Sequence, residues 1–333
     1  MRLGTLHLEN NLLLAPMQEV TTAPYRRFCR KFQDIGLVCV PMIYTKRVIK
    51  NPDTITPDLH RIEEEVPISI QLIGSNLDAL KNTILFLESY KFSVIDLNAG
   101  CPSRRAFNSQ EGAYLLRDFK FLKKLVNTAL KYASKPISLK IRTGINDRIN
   151  LHEFSTLINN SDIEYLTIHG RTVKDKFDDS KLDLDTIKEL KSLLNIPIVG
   201  NGNIDDPLNA KRFIDYTNVD AIMIGRASMG NPQIFSQIND FLKTGKFIPF
   251  QNDKDRMRKY LKIYEECLKE FIDDELSIPY SIEKYKFKEL KRNAIWLSKN
   301  IDHSNEIRQK LSRTRDLAHL KHLLKLFFEN PMN

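Results

Sequence analysis

The sequence predicts an α/β fold, a (β/α)8 TIM barrel, followed by a C-terminal region that is entirely helical. Eight short apolar runs recur over the first 225 residues, and most of the gaps between them carry helical patterns such as DALKNTILFLESY and FLKKLVNTALKYA. Near-continuous apolar runs are typical of parallel strands that helices cover on both faces. The strand pattern stops after FIPF at 247–250. We therefore predict two domains, a barrel over residues 1–247 and a helical domain over 253–333.

The eight runs are predicted to be strands because they are short and rich in β-branched residues. They cover residues 11–15, 37–41, 67–72, 93–98, 136–142, 164–169, 196–200 and 219–225. Eight β-then-α units in roughly 240 residues match the usual size of a TIM barrel. The alternative is a doubly wound open sheet, which usually has a GxGxxG turn after its first strand. Here the first strand ends in Ala15-Pro16-Met17 instead.

The charge distribution favours a polyanionic partner for the helical domain. The chain has a net charge of +9. Residues 281–325 hold 12 Lys or Arg against five Asp or Glu, which gives this segment a charge of +7. The sequence shows neither a signal peptide nor an apolar run long enough for a bilayer, so we expect a cytoplasmic protein and no membrane partner. Nucleic acid is then the favoured partner.

One predicted helix in this segment carries a basic face beside a narrow apolar stripe. On a helical wheel, the stripe is formed by Phe287, Leu290, Ala294, Leu297 and Ile301. The neighbouring face carries Lys284, Lys288, Lys291, Arg292 and Lys299. Sequence alone leaves two interpretations open, a solvated flank of a helical bundle or a surface that contacts phosphates.

Polar residues and glycines gather where the predicted strands end. In a TIM barrel the chemistry is built at the carboxyl ends of the strands, so these residues are expected to surround one site. They are Ala15, Pro16, Met17, Gln71, Asn98, Cys101, Lys140, Arg142, His169, Arg171, Asn201, Gly202, Asn203, Gly225 and Arg226.

The loops after the seventh and eighth strands indicate a phosphate site. GNGNID and GRASMGNP supply glycines for close backbone approach, and Arg226 supplies a guanidinium group for a phosphate. A phosphate-bearing cofactor is therefore expected. Lys140 either forms a salt bridge or neutralises charge on a reduced cofactor ring. His169 is either a core histidine or a hydrogen-bond donor to cofactor or substrate.

The four cysteines do not form a CxxC pair, so no metal site or redox dithiol is predicted. Cys101 is unusual because it lies in LNAGCPSRR, after a strand and between a glycine and a proline. A cysteine retained for packing would be expected inside the strand.

Taken together, these motifs resemble the tRNA-dihydrouridine synthases. The resemblance runs in order through the whole barrel, and the basic helical tail is similar to the RNA-binding domain of that family. It rests on APM at 15–17, LNAGCPSRR at 97–105 with Gly112, SLKIRTG at 138–144, TIHGRT at 167–172, GNGNI at 200–204 and DAIMIGRASMGNP at 220–232.

The resemblance implies a flavin mononucleotide (FMN) at the barrel mouth, reduced by NADPH, which passes a hydride to C6 of a uridine in tRNA. It implies that Cys101 is the general acid that protonates C5. An unperturbed thiol, with a pKa of about 8.5, is mostly protonated at neutral pH and suits this role. The protein is expected to act as a monomer.

The resemblance also implies the remaining site residues. The flavin would contact Ala15, Pro16, Met17, Gln71, Lys140, His169, Asn201, Gly202, Asn203, Gly225 and Arg226. The substrate would contact Asn98, Arg104, Arg105, Arg142 and Arg171 at the mouth, and Lys284, Lys288, Lys291 and Arg292 on the basic tail. Two positions depart from the family pattern: Glu19, where glycine is usual, and Glu111, where a small residue is common.

Two alternative functions stay open at this point. One is another flavin-dependent barrel enzyme, such as a dihydroorotate dehydrogenase, which would act on a free pyrimidine and would not need a basic helical domain. The other is a catalytically inactive barrel that serves as an RNA-binding module.

Overall fold

The computed structural model describes residues 1–249, 253–274, 278, 280–299 and 301–329. A short antiparallel hairpin, β1 (Arg2–Leu3) and β2 (Leu6–His7), precedes a ring of parallel strands. The ring strands are β3 (Leu12–Leu14), β4 (Val38–Cys39), β5 (Ile43–Tyr44), β6 (Ile68–Ile73), β7 (Val94–Ala99), β8 (Ile137–Gly144), β9 (Tyr165–Thr172), β10 (Ile198–Asn201) and β11 (Ala221–Ile224).

The strands close into the predicted barrel. Their order around the sheet is β3-β11-β10-β9-β8-β7-β6-β4, and β5 also pairs with β6. A parallel bridge between Leu13 and Leu37 joins the first and last members of this order. The predicted second strand, 37–41, is divided in the structure into β4 and β5, which pair with successive parts of β6.

Helices surround the ring, as the gaps between the apolar runs predict. They are α1 (Ala23–Arg30), α2 (Thr45–Lys50), α3 (Thr56–Leu59), α4 (Leu77–Leu87), α5 (Arg104–Asn108), α6 (Phe119–Tyr132), α7 (Leu151–Asn159), α8 (Leu184–Leu193), α9 (Pro207–Thr217) and α10 (Ile234–Thr244). Several begin at a side-chain cap: Asp118, Asn150, Asp183 and Asp206 each accept a backbone N–H from the first turn.

The alternation of side chains along the strands positions the site. Successive residues of a strand face opposite sides of the sheet, so every second residue points into the barrel. Leu13, Val94, Tyr165, Val199 and Ala221 form one buried cluster inside the ring. Asn98, His169, Arg171 and Asn201 lie at even spacings from the cluster residues of their own strands, and they therefore also face inward. The sequence analysis did not predict β1 and β2, whose hairpin contributes apolar side chains to the same interior cluster.

Four further helices form the C-terminal region. These are α11 (Lys254–Asp273), α12 (Ile282–Leu297), α13 (Ser304–Ser312) and α14 (Leu317–Glu329). The predicted boundary at 247–253 falls between α10 and α11, and residues 250–252 lie outside the described residues. The division into two domains stays a prediction. Among the helices that the structure describes, none is long and apolar enough to cross a membrane.

The C-terminal helices pack directly on α1, where residues 23–29 are buried although two of them are arginines. The ring centroids of Phe28 and Tyr264 are 5.4 Å apart. Arg27 Nη2 contacts a carboxylate oxygen of Asp274 at 2.8 Å. Arg26 Nε pairs with Glu65 Oε1 at 2.7 Å, and both side chains are fully buried. Buried guanidinium groups are costly without a partner, and these two have partners.

Candidate functional site

A cavity of about 520 Å³, the mouth cavity, opens at the carboxyl ends of the barrel strands. Every residue predicted to contact a cofactor lines it: Ala15, Pro16, Met17, Gln71, Lys140, His169, Asn201, Gly202, Asn203, Gly225 and Arg226. Four residues predicted for catalysis or substrate contact line it as well: Cys101, Asn98, Arg142 and Arg171. The roles of all these residues stay predictions, but the structure brings the residues together.

The loop that carries Cys101 is held from two neighbouring strands. The side-chain oxygen of Asn98 accepts the backbone N–H groups of Gly100, at 3.0 Å, and of Cys101, at 2.8 Å. From β8, Arg142 Nε donates to the Gly100 carbonyl oxygen at 3.0 Å. Short hydrogen bonds to backbone on both sides limit how far the thiol can move.

Gly112 completes this loop because its lack of a side chain lets the 3₁₀ turn after α5 approach Cys101. It has a φ of +62°, and a Cβ atom there would lie 2.8 Å from the carbonyl oxygen of Cys101 and 2.9 Å from its Cβ atom. Only glycine fits this conformation and this distance without strain.

Cys101 is the one cysteine of the four that is not buried. Its Sγ lies 3.4 Å from Ser103 Oγ. Burial raises the pKa of Cys29 to about 12 and raises the pKa of Cys39 further, so neither thiol is reactive at neutral pH. Cys29 and Cys39 are therefore packing residues.

Lys140 presents an ammonium group to the mouth cavity. Its Nζ donates to Asn201 Oδ1 at 3.3 Å, and Asn201 Nδ2 in turn donates to the Met223 carbonyl oxygen at 2.8 Å. Loss of solvation lowers the pKa of Lys140 to about 8, and the nearby carboxylate of Asp96 opposes this shift. Lys140 is partly accessible from the cavity, so this ammonium is available to an anionic ligand.

Asp96 lies beneath the cavity and anchors a chain of amides that the sequence analysis missed. Its carboxylate accepts Ser138 Oγ at 2.7 Å and Gln71 Nε2 at 2.6 Å. Gln71 Oε1 accepts Asn98 Nδ2 at 2.7 Å. Burial raises the pKa of Asp96. An acid inside the apolar run SVIDLN was the available sequence signal, since a buried carboxylate requires partners.

His169 is neutral in this environment. Burial, followed by the positive charges of Lys140, Arg142 and two further arginines, lowers its pKa to about 2. Its Nε2 lies 3.3 Å from Arg171 Nη1. Because a guanidinium group can only donate hydrogen bonds, Nε2 is the acceptor and Nδ1 carries the proton. The imidazole can therefore donate from Nδ1 and cannot act as a cationic acid.

The rim of the mouth cavity includes Phe177 and Asp179, which the sequence analysis also missed. Phe177 is 54% exposed. The guanidinium carbons of Arg142 and Arg226 lie 5.5 and 5.2 Å from the centre of its ring. Asp179 pairs with Arg171 at 3.0 Å. The loop after β9 carries both residues and has no regular strand or helix pattern that would assign it to the site.

The residues predicted to bind substrate outside the barrel interior do not line the mouth cavity. Arg104 and Arg105 lie on α5, and the guanidinium carbon of Arg105 lies 4.3 Å from the centre of the Tyr44 ring. Lys284 and Lys288 are exposed on α12. Another member of the same basic face, Lys299, does line the cavity.

Two members of the basic face have contacts within the protein. Lys291 Nζ donates to the carbonyl oxygens of Ser312, at 2.7 Å, and Thr314, at 2.8 Å, at the end of α13. Arg292 contacts Glu289 and lies 4.0 Å from Glu19 Oε2. Both side chains therefore have partners within the protein, and their predicted contact with substrate stays a prediction.

The two departures from the family pattern have different surroundings. Glu19 adopts a φ of +58°, a conformation that glycine adopts without cost, and its carboxylate faces Arg292. Glu111 is buried, which raises its pKa, and it lies 3.7 Å from Lys46 Nζ. Both acids thus have a basic neighbour.

The chain matches the family model described as dihydrouridine synthase over residues 13–330. It is 34% identical over 257 residues to tRNA-dihydrouridine synthase B of Pasteurella multocida, an alignment that covers 76% of this chain and 77% of the relative. It is 33% identical over 250 residues to tRNA-dihydrouridine synthase B of Escherichia coli K12, covering 75% and 77%.

Similar solved structures share the fold at low sequence identity. A morphinone reductase variant in complex with tetrahydroNAD gives a TM-score of 0.53 at 11% identity and covers 72% of this chain and 89% of that chain. DHODH from Eimeria tenella in complex with ferulenol gives a TM-score of 0.55 at 12% identity and covers 74% and 85%. At this identity the likeness establishes the barrel fold.

Proposed function

The chain belongs to the dihydrouridine synthase family, and from this premise we propose that FMN occupies the mouth cavity and that NADPH reduces it. The enzyme is a flavin-dependent oxidoreductase whose reaction is the reduction of uridine in tRNA to dihydrouridine.

The donors around the mouth cavity fit a flavin with a phosphate group. The loops after β10 and β11 bring backbone N–H groups, Gly202, Gly225 and Arg226 to one side of the cavity. Lys140 supplies a cation and Gln71 an amide for the edge of a ring system. His169 supplies a neutral N–H donor. The cavity volume of about 520 Å³ lies within the range of cofactor and ligand sites.

When bound and reduced, the FMN supplies the hydride that reaches C6 of the uridine. The residues of the chain bind and orient the reactants. Lys140 holds negative charge at the ring, and Asn98 and Arg142 fix the loop of Cys101. Arg171, whose side chain is buried in the cavity wall against Asp179 and Asn203, would support the residues that the base passes.

Cys101 is the proposed source of the proton for C5. Its S–H bond breaks as the new C5–H bond forms, and the thiolate left behind takes a proton from water before the next turnover. Arg142 bears on this step because its guanidinium group is held against the Cys101 loop. Its pKa is lowered to about 10 by burial and by Arg171, so it stays positively charged at neutral pH beside the thiolate.

The helical region is proposed to bind tRNA mainly through phosphates. A base must leave its stack before it can lie against a flavin in a barrel mouth, and this requires binding energy from elsewhere on the RNA. Lys284 and Lys288 are exposed there, and Arg104 and Arg105 extend the basic surface on the barrel side. We also propose that the protein acts as a monomer in the cytoplasm, where tRNA and NADPH are available.

The observation that carries the proposal is that Cys101 and all eleven predicted cofactor residues line the same cavity. The test uses purified protein, whose released flavin is identified by chromatography. The protein is then incubated with NADPH and unmodified transcript tRNA, and nucleosides are measured by mass spectrometry. We expect FMN and dihydrouridine. A colourless protein that forms no dihydrouridine would contradict the proposal, and consumption of free dihydroorotate would favour the other flavin enzyme.

A further inference from the structure

A second cavity, which we call the bundle cavity, lies among α11, α12 and α14 and has a volume of about 300 Å³. Its apolar side is formed by Leu261, Leu290, Leu324 and Phe328. Leu261 and Leu290 are buried in the core of the helical bundle, while Leu324 and Phe328 are half-buried on α14. The bundle cavity therefore has a floor that is apolar and fixed by the packing of the core.

The opposite side of the bundle cavity is cationic. Among the described residues, Arg258, Lys262 and Lys321 line it together with one acid, Glu265. All four are exposed, and Lys321 Nζ lies 3.7 Å from Glu265 Oε1. Three positive groups against one carboxylate leave a positive rim around an apolar floor.

Aromatic rings and cations alternate at this site. The guanidinium carbon of Arg258 lies 5.2 Å from the centre of the Phe328 ring, and Lys254 Nζ lies 4.7 Å from that of Phe327. The two phenylalanine rings are 5.4 Å apart. Sites for single-stranded nucleic acids combine these features, because bases stack on rings while phosphates meet cations.

We propose that the bundle cavity binds one unpaired nucleotide of the tRNA, with the base against Phe328 and the phosphate at Arg258 and Lys262. This inference rests on the proposed function, in which the helical region binds tRNA. The volume of about 300 Å³ suits one small ligand and not a helix or a duplex. A positive rim disfavours cationic partners and is complementary to the phosphates of RNA.

In the part of the chain that the structure describes, the bundle cavity and the mouth cavity have no lining residue in common. Occupation of both by one tRNA would therefore be a two-point attachment. The second contact then raises the local concentration of the target base at the mouth without touching the reacting atoms. A substitution that weakens nucleotide binding at the bundle cavity should consequently raise KM for tRNA and leave kcat unchanged.

The test compares Phe328→Leu and Arg258→Glu with wild-type enzyme in steady-state dihydrouridine formation. Phe328→Leu keeps an apolar side chain and the same net charge but removes the ring. Loss of one stacked base should raise KM for tRNA about ten-fold at unchanged kcat. Arg258→Glu should have an effect of at least that size. NADPH oxidation without tRNA and flavin content should match the wild type, and thermal unfolding should show that both variants are folded at the assay temperature.

Lys259→Glu is the matched control, because Lys259 is exposed on the same helix but does not line the bundle cavity. It should change KM by less than Arg258→Glu does. The inference is wrong if Phe328→Leu has the wild-type KM, or if Lys259→Glu and Arg258→Glu have equal effects. Ultraviolet cross-linking of bound tRNA provides a second readout, with an unpaired nucleotide attached to residues 317–329 as the expected product. If wild-type enzyme forms no dihydrouridine, the proposed function fails instead.

Discussion

The side chain of Asn98 holds the backbone of Cys101: its Oδ1 accepts the Cys101 N–H at 2.8 Å and the Gly100 N–H at 3.0 Å. Asn98→Ala removes both bonds and should loosen the thiol. Each lost hydrogen bond costs about 1 kcal/mol. We expect dihydrouridine formation to fall by at least ten-fold, measured in a single turnover of pre-reduced enzyme, with flavin retained.

Asn98→Asp separates two roles of this side chain. The aspartate keeps an acceptor for both backbone N–H groups but loses the donor to Gln71. If the main role of Asn98 is to hold the loop, Asn98→Asp should be much more active than Asn98→Ala. Equal losses of dihydrouridine formation in Asn98→Asp and Asn98→Ala would mean that the amide group acts directly, for example on the edge of the uracil.

Gly112→Ala should damage the same loop from its other side. The new Cβ would lie less than 3 Å from two atoms of Cys101, in addition to the strain of a positive φ. We expect a loss of more than about 1 kcal/mol in unfolding free energy and a large loss of dihydrouridine formation. Chemical denaturation and the single-turnover assay measure the two effects.

Gly245→Ala provides the control for backbone strain alone. Gly245 also has a positive φ, +72°, but no described atom beyond its chain neighbours lies within 4 Å of the position that a Cβ would take. The Gly245→Ala variant should be less stable than the wild type but should form dihydrouridine at the wild-type rate. Equal activities of the two alanine variants would show that the contact between Gly112 and Cys101 does not matter.

Lys140 should make the affinity for FMN depend on pH. Its pKa is lowered to about 8, so the ammonium form that attracts an anion is lost as the pH rises through that value. The affinity should fall between pH 7 and pH 9, by at most about ten-fold for each pH unit above the pKa. Fluorescence titration of the flavin-free protein measures this.

Lys140→Met should bind FMN more weakly and lose this pH dependence. The ionisation of Lys140 also makes the free energy of unfolding depend on pH. This free energy changes with pH in the opposite direction to the affinity for FMN. Between pH 8 and the usual lysine value of about 10.4 the folded protein binds fewer protons than the unfolded chain, so this contribution to stability rises with pH. An identical pH profile of FMN affinity in Lys140→Met and wild type would contradict the assignment of Lys140 to the flavin.

Lys288→Ala should weaken tRNA binding through the loss of one phosphate contact. The slope of log affinity against log salt should decrease by about one unit, and the flavin absorbance should not change. Lys211→Ala, on α9 and paired with Asp215, is a control of equal charge change. A flat salt dependence of the wild-type enzyme would exclude phosphate-dominated binding.

Lys291→Ala is expected to behave differently from Lys288→Ala. Lys291 donates to two backbone carbonyl groups at the end of α13, so its loss should lower Tm as well as any affinity for RNA. Thermal unfolding monitored by circular dichroism distinguishes the two variants. If Tm does not change, the contacts of Lys291 with α13 do not contribute to stability.

The positions of the site residues were predictable because strand alternation is a local property. An apolar run that ends in a polar residue fixes both the strand and the end at which that residue lies. For Lys140, Asn201 and Arg171, the spacing from buried strand residues also fixes the inward direction. The barrel and the strand-end residues that line its mouth therefore followed from the sequence, whereas Phe177 and Asp179 of the loop after β9 did not.

Contacts between distant segments could not be predicted in the same way. A helical wheel groups Lys288, Lys291 and Arg292 on one face. It does not show that Lys291 contacts the end of α13 or that Arg292 contacts Glu289. Phe177 lies in an irregular loop, which has no helix or strand periodicity from which the direction of its side chain could be predicted. The bundle cavity depends on α11 and α14, which are more than 40 residues apart in the chain.

The central claim is that Cys101 protonates the base whose other face meets the flavin, and Cys101→Ala tests it most directly. The measurement is dihydrouridine formation from tRNA by pre-reduced variant enzyme, alongside NADPH oxidation without tRNA. We expect bound flavin and NADPH oxidation at wild-type levels, and dihydrouridine formation reduced by about 100-fold or more. Dihydrouridine formation at the wild-type rate would show that the proton comes from another group and would contradict the account.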